Sequence, residues 1–211
     1  MNLIYKIIVY PLSFFSVLYL IFLYNWHYNY DLFYYMPTKS MMPTLQVGDQ
    51  FFVRVNYYED NPVKRGDIIV FKNKKNIDYI KRVIGLPGDT VKVISGRVIL
   101  NGKMINYESA GIFSYDDDGF KYECKNYIEK ITSNKTYNII DCDDYAEADL
   151  NLETVVVPKN SYYVLGDNRD NSLDSRFDEV GFISKSSIMH KVFFIYWSFV
   201  KKYSRMGFFV K

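Results

Sequence analysis

An apolar run near the amino terminus sets the narrowest limits on how the chain can fold. From Leu3 to Tyr24 the only charged side chain is Lys6, and at about 1.5 Å per residue a helix of this length crosses a bilayer. The residues that follow are bulky and lack the small-x-small pattern of a cleavage site, which favours an uncleaved anchor over a removed secretory signal. The basic groups nearest the run are Lys6 and the α-amino group, and no Lys or Arg follows it before Lys39. The sequence thus predicts a single-pass anchor within residues 1–30 and a domain outside the cytoplasm.

The composition indicates that the rest of the chain is a β protein. There are 21 Tyr and 16 Phe but only 6 Pro, and aromatic and β-branched residues favour strands. We therefore expect a mainly β fold. The formal net charge is only +2, and basic residues are dispersed among acidic ones, so nucleic acid is a poor candidate partner.

Apolar patterns and turn signals divide the chain after residue 30 into strands and loops. We expect strands at residues 50–55, 68–71, 79–84, 90–94, 97–100, 154–157, 162–165 and 188–200. Two of them, 90–94 and 97–100, form a hairpin around Ser95-Gly96. From residue 103 to residue 150 acidic turns alternate with aromatic strand fragments. We predict three parts: an anchor (1–30), a catalytic core (31–102 and 151–211) and an inserted lobe (103–150).

Two cysteines and two histidines leave little scope for a metal site. Cys124 and Cys142 are an even pair that can form a disulfide in an oxidising compartment, and two partly buried thiols are the alternative. His27 and His190 stand at no metal-like spacing. We therefore expect no metal and no cofactor, and a structural or interfacial role for each histidine.

A serine in a constrained turn is the first candidate for chemistry. Ser40 lies in a Pro-flanked segment, and the hydroxyl of Thr38 is two residues before it. A serine attacks a peptide bond only with the help of a base. Because the two histidines stand at unfavourable positions, a Ser-Lys pair has to be weighed against a Ser-His-Asp triad.

Lys81 is the candidate base. Strand periodicity places it on one face with Tyr79 and Val83, so apolar neighbours can exclude water from its amine. Lowering the pKa of a lysine from about 10.4 to near 7 takes roughly 4 to 5 kcal/mol. An ordinary solvated lysine is the alternative.

The segment from Gly166 to Arg176 is the third candidate. It contains five charged side chains of both signs. These charges can pair with one another within the loop, which favours a network that positions other groups. A calcium loop is excluded because the glycine and the final glutamate of an EF-hand are missing at the required offsets.

Four segments, in this order, resemble the conserved boxes of the bacterial type I signal peptidases. They are SMMPTL at residues 40–45, RGDIIVF at 65–71, YIKRVIGLPGD at 79–89 and GDNRDNSLDSR at 166–176. The resemblance extends from the anchor to the last strands. It is weakest over residues 103–150, a part that varies in that family.

The resemblance implies a β-rich catalytic core with a smaller inserted β lobe, preceded by one transmembrane helix. It implies a membrane-bound serine endopeptidase that removes amino-terminal signal peptides from exported preproteins at the bacterial inner membrane, with its domain on the extracytoplasmic side. Ser40 matches the family's nucleophile and Lys81 its general base. The implied partners are preprotein signal peptides and the lipid bilayer, which an apolar surface would enter; Phe51, Phe52 and Tyr57 are candidates for it.

The resemblance also implies supporting roles. The hydroxyl of Thr38 and the backbone N–H of Ser40 match the oxyanion-hole donors. Ser172 matches the residue that orients the lysine amine. The remaining matches are an ion pair and two charges nearby in the same loop: Asp174, Arg176, Asp167 and Arg169. One position departs from the pattern, since Lys39 stands where the family commonly has Gly; we expect its side chain to face solvent or lipid headgroups.

Three other functions remain to be weighed. A dedicated pilus or conjugation-protein maturation peptidase shares the dyad, but the complete 166–176 segment favours the general enzyme. A self-cleaving repressor-type protein would need a DNA-binding amino terminus or an internal cleavage site in place of the apolar run. An inactive membrane-anchored scaffold would not need both Ser40 and Lys81.

Overall fold

The computed structural model describes residues 16–20, 32–142, 153–199 and 205–210, and most of these residues lie in β-strands. This confirms the mainly β fold expected from the composition. The strands in chain order are β1 Leu32–Tyr35, β2 Gln50–Val55, β3 Ile68–Lys72, β4 Asp78–Gly85, β5 Thr90–Ile94, β6 Arg97–Leu100, β7 Lys103–Met104, β8 Asn106–Asp117, β9 Phe120–Thr132, β10 Lys135–Asp141, β11 Val155–Val156, β12 Ser161–Leu165, β13 Ile183–Ser184, β14 Ile188–Trp197 and β15 Phe208–Phe209. Between strands lie one α-helical turn, Tyr57–Asp60, and one 3₁₀ turn, Lys185–Ser187.

The predicted membrane span falls mostly outside the described residues. Of the run from Leu3 to Tyr24, residues 16–20 are described; they are helical and exposed. Within the described ranges no helix is long and apolar enough to cross a membrane.

The described strands form three sheets. The largest has eight strands in the order β1-β2-β14-β3-β4-β12-β13, with β15 beside β14. Strands β11, β5, β6 and β7 form a second sheet, and β10, β9 and β8 form a third. Strand β4, which carries Lys81, therefore lies inside the large sheet between β3 and β12, to which it pairs in antiparallel register.

Local turn chemistry explains two hairpins. Ser95 and Gly96 have φ angles of 45° and 69°, and a two-residue turn with positive φ at both positions matches the twist of paired strands. This turn joins β5 to β6 as the sequence predicts. Asp118 and Gly119, with φ angles of 48° and 82°, join β8 to β9 in the same way.

The predicted inserted lobe contains the third sheet, whose strands are longer than the fragments that the sequence indicates. β8 and β9 have 12 and 13 residues. Ile131 and Tyr137 from this sheet share a hydrophobic cluster with Val93 of β5 and Leu165 of β12. The third sheet thus packs on strands that precede and follow it, and the lobe boundaries at residues 103 and 150 stay a prediction.

A disulfide joins Cys124 in β9 to Cys142 just after β10. Of the two alternatives left open by the sequence, the structure has the bonded pair. Cys124 packs in one buried cluster with Met42 and Ile140. Because Met42 follows Ser40 by two residues, the bridged strands of the third sheet pack against the segment that carries Ser40.

Candidate active site

The segment that carries Ser40 connects β1 to β2. Within it, the N–H of Leu45 donates to the carbonyl of Met41 at 2.9 Å. Met41 and Leu45 have no exposed surface and pack with Met36 in one core cluster. Its apolar residues thus fix this segment, called the nucleophile turn below, on the large sheet, with Ser40 only 7% exposed.

Lys81 approaches Ser40 from β4. Its Nζ lies 2.8 Å from Ser40 Oγ, and the lysine is 4% exposed. Thr38 Oγ1 lies 3.1 Å from Ser40 Oγ. The fold therefore brings together the serine, the lysine and the threonine hydroxyl that the sequence singled out.

Burial governs the charge state of Lys81. Loss of hydration lowers the pKa of its amine to about 8, against an opposing effect of Asp174 and with a reinforcing effect of Arg176. On the same face of β4, the ring centre of Tyr79 lies 5.6 Å from Nζ, and Val83 is fully buried. At pH 7 roughly a tenth of the amine is therefore neutral.

Asp174 and Arg176 form an ion pair that is joined by two hydrogen bonds. Arg176 Nε lies 2.8 Å from Asp174 Oδ1, and Nη2 lies 2.9 Å from Oδ2. The N–H of Gly166 donates to Asp174 Oδ2 at 2.9 Å. Burial alone would raise the pKa of Asp174, but Arg176 and the hydrogen bonds hold it below its ordinary value. The pair therefore stays ionised and ties the two ends of the loop together.

Gly166 lies where this loop packs tightly between Ser172 and the nucleophile turn. A Cβ at Gly166 would lie 2.2 Å from Ser172 Oγ and 2.5 Å from Ser40 O, so a glycine is needed here. Ser172 Oγ helps to lower the pKa of Asp174, but it lies outside normal hydrogen-bond geometry, and no described group completes a bond with it. Its role in orienting the amine of Lys81 stays a prediction.

Asp167 does not pair with Arg169 of the same loop. Its carboxylate is held by Arg82 of β4, with Nε 2.7 Å from Oδ1 and Nη2 2.6 Å from Oδ2. Arg82 also donates to the carbonyl of Gly66 at 2.9 Å and lies 3.7 Å from the ring centre of Tyr137. Because Arg82 follows Lys81 directly, this contact fixes the strand beside the lysine.

Arg169 is held by the third sheet. Its Nη2 donates to Glu129 Oε2 at 2.5 Å, and its Nη1 donates to the carbonyl of Gly96 at 2.7 Å. The hydroxyl of Tyr137 donates to the other carboxylate oxygen of Glu129. Both members of the Arg169–Glu129 pair have side chains no more than 1% exposed. A buried polar network thus connects β9 and β10 to the loop that contacts Ser40.

Comparison with known proteins agrees with what this geometry indicates. The family model described as signal peptidase, peptidase S26, matches residues 7–197. The chain belongs to this signal peptidase family. A signal peptidase I of Aquifex aeolicus is 38% identical over 195 residues, which cover 78% of this chain and 75% of the relative. A signal peptidase I of Bacillus caldolyticus is 36% identical, with 79% of each chain covered. A solved signal peptidase I from Enterococcus faecalis aligns at 28% identity over 62% of this chain and 97% of its own, with a TM-score of 0.35 that supports no conclusion about the fold.

Membership in the S26 family makes the chain a serine endopeptidase of the signal peptidase I type. Sequence reasoning missed three residues of its buried network: Arg82, Glu129 and Tyr137. Arg82 follows Lys81 in a segment that resembles the family. A charged side chain on the other face of the same strand was the signal that could have identified it. Glu129 and Tyr137 lie where the resemblance is weakest, and no local pattern marks them.

One expectation about a side chain of this signal peptidase is incomplete and another is wrong. The Lys39 side chain is 26% exposed, but its amine also forms an ion pair with the carboxylate of Asp117 at the end of β8. Phe51 is fully buried in the core and cannot contact a membrane. Phe52 and Tyr57 are partly exposed.

His190 is not part of the signal peptidase site. It lies in β14 with its ring centre 6.0 Å from that of Tyr34, and burial lowers its pKa. The hydrogen-bond contacts of Ser40 Oγ are with Thr38 and Lys81. His27 lies outside the described residues.

Proposed function

We propose that Ser40 and Lys81 form a Ser-Lys dyad that removes signal peptides from exported preproteins. The observation that carries this proposal is the 2.8 Å approach of Lys81 Nζ to Ser40 Oγ. The neutral amine accepts the hydroxyl proton while Oγ attacks the scissile carbonyl. The protonated amine then gives its proton to the departing amino group, and the amine so regenerated activates the water that hydrolyses the acyl-enzyme.

We assign two donors to the oxyanion hole, where the carbonyl oxygen would develop negative charge. One is the hydroxyl of Thr38, 3.1 Å from Ser40 Oγ. The other is the N–H of Ser40, for which no described residue provides an acceptor. Because such donors are fixed before the reaction begins, they stabilise the tetrahedral intermediate without reorganisation.

The proposal includes a single-pass anchor in residues 1–30 and an extracytoplasmic domain at the bacterial inner membrane. An aromatic surface on the large sheet supports it. Phe33 is 63% exposed and Phe209 is 70% exposed. Phe33 contacts Phe52, and Phe194 contacts Phe209, each with ring centres 5.2 Å apart. Exposed aromatic groups of this kind favour the boundary between water and lipid.

Processing of a preprotein with small side chains one and three residues before the cut tests the dyad. Full-length protein in detergent should release the mature polypeptide, whose amino terminus is then sequenced. Ser40→Ala should abolish processing and leave the protein folded, because removal of one hydroxyl opens little volume. Ser186→Ala, which removes an exposed hydroxyl outside the site, should process normally. Cleavage by the Ser40→Ala protein would contradict the dyad.

A further inference from the structure

A cleft of about 750 Å³ lies beside the nucleophile turn. Thr38, Lys39 and Met42 line it on one side, and the end of β8, including Asp117, lines it on the other. Thr38 also contacts the hydroxyl of Ser40 at 3.1 Å. A substrate residue close to the scissile bond therefore comes within reach of this cleft.

An ion pair crosses the cleft. The amine of Lys39 bonds to the carboxylate of Asp117, and the two side chains are 26% and 31% exposed. The amine also lies 6.0 Å from the ring centre of Tyr115. Lys39 immediately precedes Ser40 in the chain, whereas Asp117 is 78 residues further on. Two opposite charges thus meet in the cleft beside Ser40, one from the loop between β1 and β2 and the other from the end of β8.

We propose that pairing of Lys39 with Asp117 keeps the charge preference of signal peptide cleavage small at the substrate residue that occupies this cleft. This proposal rests on Ser40 being the nucleophile. While the two charges are paired they largely cancel, and the cleft favours neither a cationic nor an anionic substrate residue. Loss of one partner leaves the other charge uncompensated, and it then attracts the opposite charge and repels its own.

Matched peptide substrates test this with the full-length enzyme in detergent. One series carries Lys, Gln or Glu at each position within two residues of the cut, and kcat/KM is measured for each peptide. Lys39→Gln leaves Asp117 uncompensated. At one substrate position it should therefore raise kcat/KM for the Lys peptide relative to the Glu peptide by roughly fivefold, a size expected for partly exposed charges. Asp117→Asn should shift the same ratio in the opposite direction.

Two double variants separate charge selection from a merely structural link. Lys39→Gln with Asp117→Asn should show the small preference of the wild type, because both charges are absent. Lys39→Asp with Asp117→Lys should also behave like the wild type, because the pair is restored in reverse. Thermal melting checks that each variant is folded, and added NaCl should reduce the preference of each single variant.

A second ion pair on the same hairpin is the matched control. Lys121 and Glu123 lie 2.7 Å apart and are exposed, and neither lines the cleft. Replacing both with Gln should leave every substrate ratio unchanged. The proposal is overturned if Lys39→Gln and Asp117→Asn give the same ratios as the wild type, or lose activity equally on all peptides while folded. Failure of the dyad would show separately, as retained cleavage by Ser40→Ala.

Discussion

At the scale of single residues, the proposed chemistry depends on lowering the pKa of one amine that lies among ionised groups. A pKa lowered from 10.5 to about 8 corresponds to roughly 3 kcal/mol of destabilisation of the ammonium form. The buried face of β4 supplies this effect. The negative charge of Asp174 alone would raise the pKa of Lys81. Arg176 binds the carboxylate of Asp174 through two contacts, and its positive charge lowers the pKa of Lys81.

The pH dependence of cleavage should report on Lys81. Because the neutral amine is the proposed base, kcat/KM should rise about tenfold per pH unit until the pH reaches the amine's pKa of about 8 and then level off. Lys81→Arg keeps a positive charge, but a guanidinium stays protonated at any usable pH. It should therefore be as inactive as Lys81→Ala in a peptide cleavage assay across this pH range.

Replacement of the histidines is the control for that experiment. His27→Gln combined with His190→Gln should keep the acidic limb of the profile, because His190 lies outside the site and the contacts of Ser40 Oγ are with Thr38 and Lys81. Disappearance of the limb in this double variant, or substantial activity in Lys81→Arg, would show that a different base operates.

Gly166→Ala should lower kcat by displacing the groups around Ser40. The new Cβ would lie 2.2 Å from Ser172 Oγ and 2.5 Å from Ser40 O, so the nucleophile turn or the loop must move. A displacement of about 1 Å costs on the order of 100-fold in kcat. Gly85→Ala is the matched control, since its Cβ meets Val157 at 2.8 Å in the core. It should lower Tm yet largely keep kcat; equal losses of kcat in both variants would contradict the geometric explanation.

At the scale of strands and loops, local sequence and distant pairing determine different parts of the structure. The β5–β6 hairpin could be predicted because Ser95-Gly96 specifies its turn locally. The site also depends on distant pairing: the N–H of Ile140 in β10 donates to Asp167 O at 2.9 Å, and the N–H of Arg169 donates to Ile140 O at 3.0 Å. A contact between distant segments leaves no periodic pattern in either one. Ser40 and Lys81 could therefore be predicted from the sequence, but the contribution of the third sheet could not.

The Glu129–Arg169 pair should couple the stability of the third sheet to that of the loop at residues 166–176. Removing one partner leaves a buried charge uncompensated, so Glu129→Met and Arg169→Met should each lower the free energy of unfolding by about 3 to 5 kcal/mol. The double variant should lose less than the sum of the two, because it leaves neither charge behind. Denaturant titration of all four proteins measures this coupling. The exposed pair Lys121 and Glu123, replaced in the same way, should show none; purely additive losses at Glu129 and Arg169 would argue against the coupling.

At the scale of the whole molecule, the predicted anchor and the β domain must be compatible. Leu32, where β1 begins, follows Tyr24 by 8 residues, which span at most about 29 Å when extended. β1 is the edge strand of the large sheet and carries the exposed Phe33. With the predicted anchor in a bilayer, that edge would stay close to the membrane. The sequence predicts the anchor and contains many aromatic residues, but it does not show that some of them form one surface. That surface depends on the strand order β1-β2-β14, which brings together segments that are far apart in the chain.

The side of the membrane on which the domain lies can be determined with a single thiol. Both native cysteines are bonded to each other, so a cysteine introduced by substitution is the only free thiol. Lys103→Cys, at an exposed position of β7, should react with a membrane-impermeant maleimide in intact spheroplasts, because the domain is expected outside the cytoplasm. Asn2→Cys, before the predicted span, should react only after the membrane is permeabilised. The reverse pattern would place the domain in the cytoplasm, and a mature protein that begins near Asn29 would show that the apolar run is a cleaved signal instead of an anchor.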